Sequence, residues 1–533
     1  MATTDTSERG LESLIVADLV GHADAPFSIG GAVRDSATGY PNRGYVLGDP
    51  GDYDRAHAVD WPKLSSFIQR TQPKVLSAFG FDKDGLKREQ LLNRLQGEIT
   101  KRGVIDVLRK GIKHGPASID LFYGTPTRGN LDAERRFAAN VFSVTRQLRY
   151  SNDETQLALD LGIFINGLPV ATFELKNSLT KQTVADAVQQ YRRDRDPREL
   201  LFQFGRCVVH FAVDDQDVQM CAHLRGPESW FLPFNRGWND GAGNPPNPLG
   251  LKTDYLWRRI LTPVSLTDIV ENYAQVVEES GKGKKKSQVF PRYHQLDVVR
   301  QLLAHVRANG VGTRYLIQHS AGSGKSNSIA WLAHQLVGLQ RDNANTFDSI
   351  VVVTDRRLLD KQIKDTIRQF LQVASTVGHA ERSGDLRAYL ASGKRIIITT
   401  VQKFPVVYEE IGNEHRGRTF AIVIDEAHSS QGGETSAKMS QALSGHGASD
   451  PDETTEDRIN RIMEARKILP NASYFAFTAT PKNKTLEIFG DAFDEAGVVK
   501  HRPFHSYTMK RPSRRASSST SSRAIPRSAA TID

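Results

Sequence analysis

The chain has 533 residues and a net charge of +9, with 39% hydrophobic and 25% charged residues. This ordinary globular composition is long enough for several domains and excludes a fibrous or largely disordered protein. No stretch approaches the roughly 18 consecutive apolar residues of a membrane span, and the polar start, Met1 to Arg9, lacks the apolar segment of a secretion signal.

Cys207 and Cys221 have no metal-ligand spacing, so they are expected as idle buried thiols in a reducing, cytoplasmic setting. The mild basic excess permits a nucleic-acid partner without requiring one.

The stretch from about Leu11 to Asp120 reads as mostly helical, with Leu91, Leu92 and Leu95 at helical spacing. Ser118 to Tyr123 reads as a strand. Leu157 to Ile165 and Val170 to Lys176 read as two strands joined at Asn166-Gly167, a strong hairpin signal.

Glu174 and Lys176 are two apart and leave one face of their strand. With a loop Asn166-Gly167-Leu168, Ile165 pairs with Pro169 and Asp160 joins that face. A strict two-residue turn shifts the register by one and sends Asp160 to the other face. If the three share a face, Asp160 and Glu174 form a pair of Mg²⁺ ligands. The ion polarises a phosphodiester and acidifies a bound water, while Lys176 steadies the developing charge. The competing reading is a charged, solvated hairpin edge, and it stays open at this point. Against it, carboxylates among Leu, Ile, Val and Phe are costly unless paired or metal-bound.

A helix is expected over Thr183 to Arg195, ending near the basic pair Arg192-Arg193. Cys207 to Val213 reads as a buried strand. Phe231 to Leu251 reads as loop and Leu256 to Glu279 as helix. Gly281 to Ser287, rich in Gly and Lys, reads as a flexible basic linker.

After the linker comes Tyr315-Leu316-Ile317, then His319-Ser320-Ala321-Gly322-Ser323-Gly324-Lys325-Ser326, then an apolar helical stretch. Strand, glycine-rich loop and helix make a phosphate loop, although His319 stands where the pattern has its first glycine. Gly322, Ser323 and Gly324 supply the curled backbone, Lys325 reaches the β and γ phosphates, and Ser326 holds Mg²⁺.

Further apolar strands end in Thr354-Asp355, Thr399-Thr400, Asp425-Glu426-Ala427-His428 and Thr478-Ala479-Thr480. Strands alternating with helices predict a doubly wound parallel sheet, with ligands at the carboxyl ends of its strands. In phosphoryl-transfer terms Asp425 holds Mg²⁺ and Glu426 activates the attacking water. Gln295, one helix upstream of the loop, is a candidate adenine contact, and Thr478 and Thr480 are candidates for coupling nucleotide state to movement.

The phrases H-S-A-G-S-G-K-S, T-D-R-R-L-L-D-K-Q, D-E-A-H and F-T-A-T-P, preceded by the D…E-L-K hairpin, resemble the R (HsdR) subunit of type I restriction–modification enzymes. So do F-E-L-K-N, R-R-D-R-D-P-R-E-L-L-F and F-L-P-F-N-R-G. The resemblance implies an α/β architecture: a PD-(D/E)xK-type nuclease domain over 1–225, a connecting segment over 226–287, and one RecA-like superfamily 2 ATPase lobe over 288–500. Residues 501–533 are then the start of a second lobe and a disordered basic tail.

The resemblance also implies ATP and Mg²⁺ as cofactors, double-stranded DNA as substrate, and methyltransferase and specificity subunits as partners. The implied activity is ATP-driven translocation coupled to cleavage of unmethylated DNA, with Asp160, Glu174 and Lys176 as the nuclease trio. His319 is an accepted variant in that family. The Q-x-x-x-Y pattern of related nucleases is not matched, because Gln189 and Gln190 lie too close to Tyr191.

Text of this kind stops near Lys510, so the chain reads as truncated after one lobe and is expected not to translocate DNA by itself. Two other readings remain: a different superfamily 2 ATPase or remodeller with a purely structural hairpin, and an inactive remnant that binds DNA or the methyltransferase.

Overall fold

The computed structural model describes residues 8–20, 44–75, 80, 85–126, 129–154, 156–239, 242–278, 286–354, 363, 366–367, 376–425, 459–461, 463 and 469–508. Two sheets of seven strands each organise them.

The first sheet is mixed. It contains β1 (Val46–Gly48), β2 (Phe142–Arg149), β3 (Ala158–Ile165), β4 (Leu168–Leu175), β5 (Val209–Val213), β6 (Val218–Cys221) and β7 (Leu232–Pro233), side by side in chain order. β1–β2 and β4–β5 are parallel and the other pairs antiparallel. Every residue of β4 and β5 is buried, because helices cover the sheet.

These helices include α1 (Glu8–Val20), α2 (Trp61–Thr71), α3 (Leu86–Arg102) and α4 (Val104–Lys110). α3 buries Leu91, Leu92, Leu95 and Ile99 at the spacing its sequence shows. α5 (Val184–Arg193) starts at a capping box, Thr183 with Asp186, and buries Val184, Ala187, Val188 and Tyr191. The strand expected over Ser118–Tyr123 is shorter and earlier, Ala117–Ile119.

The β3–β4 hairpin resolves the register question. Asn166 and Gly167 have φ of 51° and 79°, as a two-residue turn of type I′ requires. Ile165 therefore pairs with Leu168, not Pro169. A bulge between Ile163 and Phe164 then takes up one residue, and below it Leu161 pairs with Phe173. Continuing that register places Asp160 opposite Glu174. The turn is the strict one, yet the bulge restores the shared face.

Gly167 is fixed for two reasons. Its φ is positive, and a Cβ there would lie 2.2 Å from the Asp60 carbonyl oxygen. Gly167→Ala is expected to lower stability by at least about 2 kcal/mol. A denaturant midpoint unchanged from wild type would contradict this.

The second sheet is wholly parallel. Its strands are β10 (Arg314–His319), β11 (Ser349–Thr354), β12 (Val377–His379), β13 (Ile396–Thr400), β14 (Phe420–Asp425), β15 (Ala472–Thr478) and β18 (His505–Tyr507). Their order is β12-β13-β11-β14-β15-β10-β18. β11, β14 and β15 are buried throughout, which explains their continuous apolar runs. α7 (Tyr293–Asn309), α8 (Lys325–Val337), α9 (Ser383–Ala391) and α10 (Phe404–Asn413) are among its helices.

Two expectations change here. The helix expected over Leu256–Glu279 breaks into a π-helical turn at Leu256–Ile260, α6 (Pro263–Asn272) and the strand β8 (Gln275–Glu278). Thr262 caps α6 with Pro263 in its first turn, and the β-branched pair Val276-Val277 favours the extended form. β8 pairs antiparallel with β9 (Lys286–Val289), so the end of the expected linker is strand, while 281–285 lie outside the described residues.

The second sheet also runs past residue 500. An exposed hairpin, β16 (Asp491–Glu495) and β17 (Val498–Arg502), leads into β18, which pairs with β10. The expected tail, 511–533, lies outside the described residues.

The connecting segment packs on both parts. Gln288 places its side-chain nitrogen against the carbonyls of Cys207, Val208 and Ala222 at 2.7, 2.8 and 2.9 Å. The fully buried Trp331 of α8 meets Tyr273 with ring centroids 5.5 Å apart.

Two candidate active sites

The first site lies at the open end of the hairpin, where β3 begins and β4 ends. The Leu175 N–H donates to Asp160 Oδ2 at 2.7 Å, which locks Asp160 against the strand that carries Glu174. Glu174 is fully buried. Its Oε1 accepts from Arg195 Nε at 2.6 Å. Arg195 is itself held by the Tyr150 hydroxyl at 3.3 Å and the Ala158 carbonyl at 2.9 Å.

Burial pushes the Glu174 carboxyl up to about 8. The Arg195 charge opposes the rise and the nearby Asp160 charge adds to it. Asp160 is also raised by burial, against the Leu175 N–H and the Lys176 charge, with Glu8 and Glu12 pushing further up.

Lys176 is buried, and its Nζ meets Glu8 Oε1 of α1 at 3.0 Å. Beside the trio, Thr172 Oγ1 contacts the Tyr191 hydroxyl at 2.8 Å and His210 Nδ1 at 2.7 Å. Burial lowers His210 to about 3, so this chain of contacts is neutral.

The Glu174 Oε2 atom is buried with no hydrogen-bond partner. An orphaned carboxylate oxygen beside a second carboxylate fits a hard divalent cation, which satisfies it with a single bond. Among the described residues no group of three or more His, Cys, Asp or Glu side chains forms a metal cage. Waters and a phosphate oxygen would therefore complete the coordination, as Mg²⁺ prefers.

Arg195 and Glu8 were invisible in the sequence pattern. They lie 21 residues after Glu174 and 168 before Lys176, and only the fold brings them in. Of the basic pair at the end of α5, Arg192 is tied to the Ser229 carbonyl at 3.0 and 3.2 Å, and Arg193 is exposed.

The second site sits at the carboxyl ends of the parallel strands. β10 runs into the loop and α8 starts at Lys325, with Gly324 as its cap at φ 82°. Gly322 also has a positive φ of 76°. The positive φ of Gly324 favours glycine there, and a Cβ would also displace the end of the Gln295 side chain, 2.4 Å away. His319 lies in the strand itself, where no glycine conformation is needed.

Lys325 is buried with Nζ 3.3 Å from the His319 carbonyl. Ser323 is buried and Ser326 half-buried in the first turn of α8, whose N-terminal amides favour anions. Gln295 accepts from the Arg292 N–H at 2.9 Å and donates to the Gly324 carbonyl at 2.8 Å, so its amide braces the loop.

Asp425 ends β14 and is buried; one strand, β15, separates it from the loop strand. Glu426, His428 and the 355–362 stretch lie outside the described residues. Thr478 is buried at the end of β15 and Thr480 is exposed beyond it.

Fold and sites together define a two-part α/β protein: a mixed-sheet domain with a paired-carboxylate site, joined to a parallel-sheet lobe with a glycine-rich loop between strand and helix. Residues 74–229 match the family described as type I restriction enzyme R protein N terminus. Residues 294–449 match the SWI2/SNF2 ATPase family. The chain is similar to type I restriction enzyme R subunits.

It is 28% identical over 347 residues to the type I restriction enzyme HindI endonuclease subunit of Haemophilus influenzae, covering 61% of this chain and 30% of that protein. It is 24% identical over 408 residues to the putative MjaIXP endonuclease subunit of Methanocaldococcus jannaschii, covering 68% and 33%. The chain thus spans about a third of the length of these curated relatives.

Among solved structures, a fragment of a putative HsdR subunit from Vibrio vulnificus shares 15% identity with a TM-score of 0.25, covering 76% of this chain and 57% of that one. The Sulfolobus solfataricus SWI2/SNF2 ATPase core in complex with double-stranded DNA shares 16% identity with a TM-score of 0.25, covering 38% and 35%. Among the described residues no helix is long and apolar enough to cross a membrane.

Proposed function

We propose that the chain is the nuclease and first-motor-lobe portion of a type I restriction subunit, cutting unmethylated double-stranded DNA in an ATP-dependent, cytoplasmic complex with methyltransferase and specificity subunits. The observation that carries the nuclease half is the pairing of Asp160 with a fully buried Glu174 whose Oε2 lacks a partner. In this reading Asp160 and Glu174 hold Mg²⁺, which acidifies a water and polarises the phosphodiester. Lys176, released from Glu8 as the phosphate enters, stabilises the charge that develops on it.

In the lobe, Gly322 to Ser326 cradle the phosphates, Ser326 and Asp425 hold the second Mg²⁺, and Glu426 activates water.

The test is plasmid nicking by the purified chain with Mg²⁺, compared with Lys176→Ala. Nicking that needs Mg²⁺ and falls at least about 10²-fold in the variant supports the nuclease reading. An untouched plasmid, or nicking indifferent to Lys176, overturns it.

A further inference from the structure

We propose that the exit strand β18 is a working part of the nucleotide site, with His505 and Tyr507 as positioning residues that set the phosphate loop and relay its occupancy to the chain leaving the lobe. The inference rests on the nucleotide-binding reading above and extends it to residues almost 190 positions from the loop.

β18 pairs with the strand that becomes the loop, with Ile317 opposite His505 and His319 opposite Tyr507. The first loop amide, Ser320 N–H, donates to the Tyr507 carbonyl at 3.0 Å. Sheet pairing alone would give these contacts. The side chains go further.

The Tyr507 ring stacks on His294 at a centroid distance of 3.6 Å and an interplanar angle of 9°. His294 Nε2 in turn donates to the Ser323 carbonyl, inside the loop, at 3.0 Å. The Tyr507 ring therefore fixes the imidazole that holds the loop's middle.

A second chain of contacts starts at Asp297. His505 Nε2 lies 3.4 Å from Asp297 Oδ2, and His505 Nδ1 lies 2.8 Å from His319 Nε2. A carboxylate only accepts, so the proton sits on His505 Nε2. In the neutral ring His505 Nδ1 then accepts, and His319 Nε2 donates. One tautomer of each ring satisfies the chain, which orients His319 at the position where the phosphate-loop pattern has glycine.

The His319 carbonyl is also what Lys325 Nζ touches, at 3.3 Å. When Lys325 turns to phosphates, that carbonyl loses its cationic partner. The residue that feels the loss is the one hydrogen-bonded to His505 and paired with Tyr507. Occupancy of the loop thus reaches the exit strand through side chains, not only through the sheet.

The test uses the full chain and a fluorescent N-methylanthraniloyl ADP with Mg²⁺. Tyr507→Ala and His505→Ala are each expected to weaken binding about tenfold, within the usual range of coupling energies. Tyr507→Phe keeps the stacking ring and is expected to bind within about threefold of wild type. In wild type, saturating ADP should slow amide hydrogen exchange over residues 504–508, a readout that needs no variant to fold.

If wild type binds no nucleotide, the nucleotide reading fails and this inference with it. Binding by wild type that Tyr507→Ala leaves unchanged, or exchange at 504–508 that ignores ADP, overturns this inference alone.

Discussion

Glu174→Gln is expected to abolish Mg²⁺-dependent cleavage and, at the same time, to make the metal-free chain more stable at pH 8. The two effects share one cause. Glu174 is a fully buried carboxyl with one oxygen on Arg195 and the other without a partner. Gln retains an oxygen to accept from Arg195 Nε, so the buried guanidinium stays paired. It loses the charge that a divalent cation needs. Several kcal/mol of transition-state stabilisation go with the ion, so cleavage should fall on the order of 10³-fold.

The sign of the stability effect follows from linkage. Burial raises the folded-state pKa from 4.5 to about 8. Between these values the folded chain keeps a proton that the unfolded chain has released, so stability falls as pH rises through that window. Gln does not titrate and is spared. The stability gap between variant and wild type should be small at pH 4.5, open steadily, and exceed about 1 kcal/mol by pH 8. Denaturation curves at the two pH values, in chelator, measure it. A gap that is flat with pH would show that Glu174 is ionised throughout, with Arg195 holding the whole charge. Full cleavage by the variant would remove Glu174 from the metal site.

The hairpin shows what the sequence carried and what it could not. Asn166-Gly167 announced the turn, because few other pairs tolerate two positive φ values. The period of two placed Glu174 and Lys176 together. The face of Asp160 was undecided, since it depends on a bulge at Ile163/Phe164 that no residue type there advertises. The parallel sheet was legible for a different reason: strands buried on both faces must be apolar throughout, and β11, β14 and β15 are.

What stayed hidden is what closes over long sequence distances. Arg195 on Glu174, Glu8 on Lys176 and His505 on His319 leave no local period to detect. Gln295 stood out in the sequence as a candidate adenine contact, whereas its hydrogen bond to the Gly324 carbonyl is visible only in the fold. The strand β8 was hidden by a helical neighbourhood, where α6 ends three residues before it.

Lys325→Ala is expected to reduce nucleotide affinity and hydrolysis at least about 10²-fold, the second large effect. Lys325 is the buried cation at the mouth of α8, and it rests 3.3 Å from the His319 carbonyl. Phosphates arriving at the loop meet the helix amides and this ammonium together. Removing the ammonium leaves the amides and the curled backbone but takes away the one full positive charge that the loop itself carries.

Lys325→Arg separates charge from shape. The guanidinium keeps the charge but is broader, and the seat beside His319 is buried. Arginine should therefore recover little of the loss. Isothermal titration with ADP, with hydrolysis measured in the assembled complex, distinguishes the cases. Wild-type affinity in Lys325→Ala would mean that the nucleotide is held elsewhere. Full rescue by arginine would mean that the loop asks only for a charge and not for the compact ammonium its geometry fits.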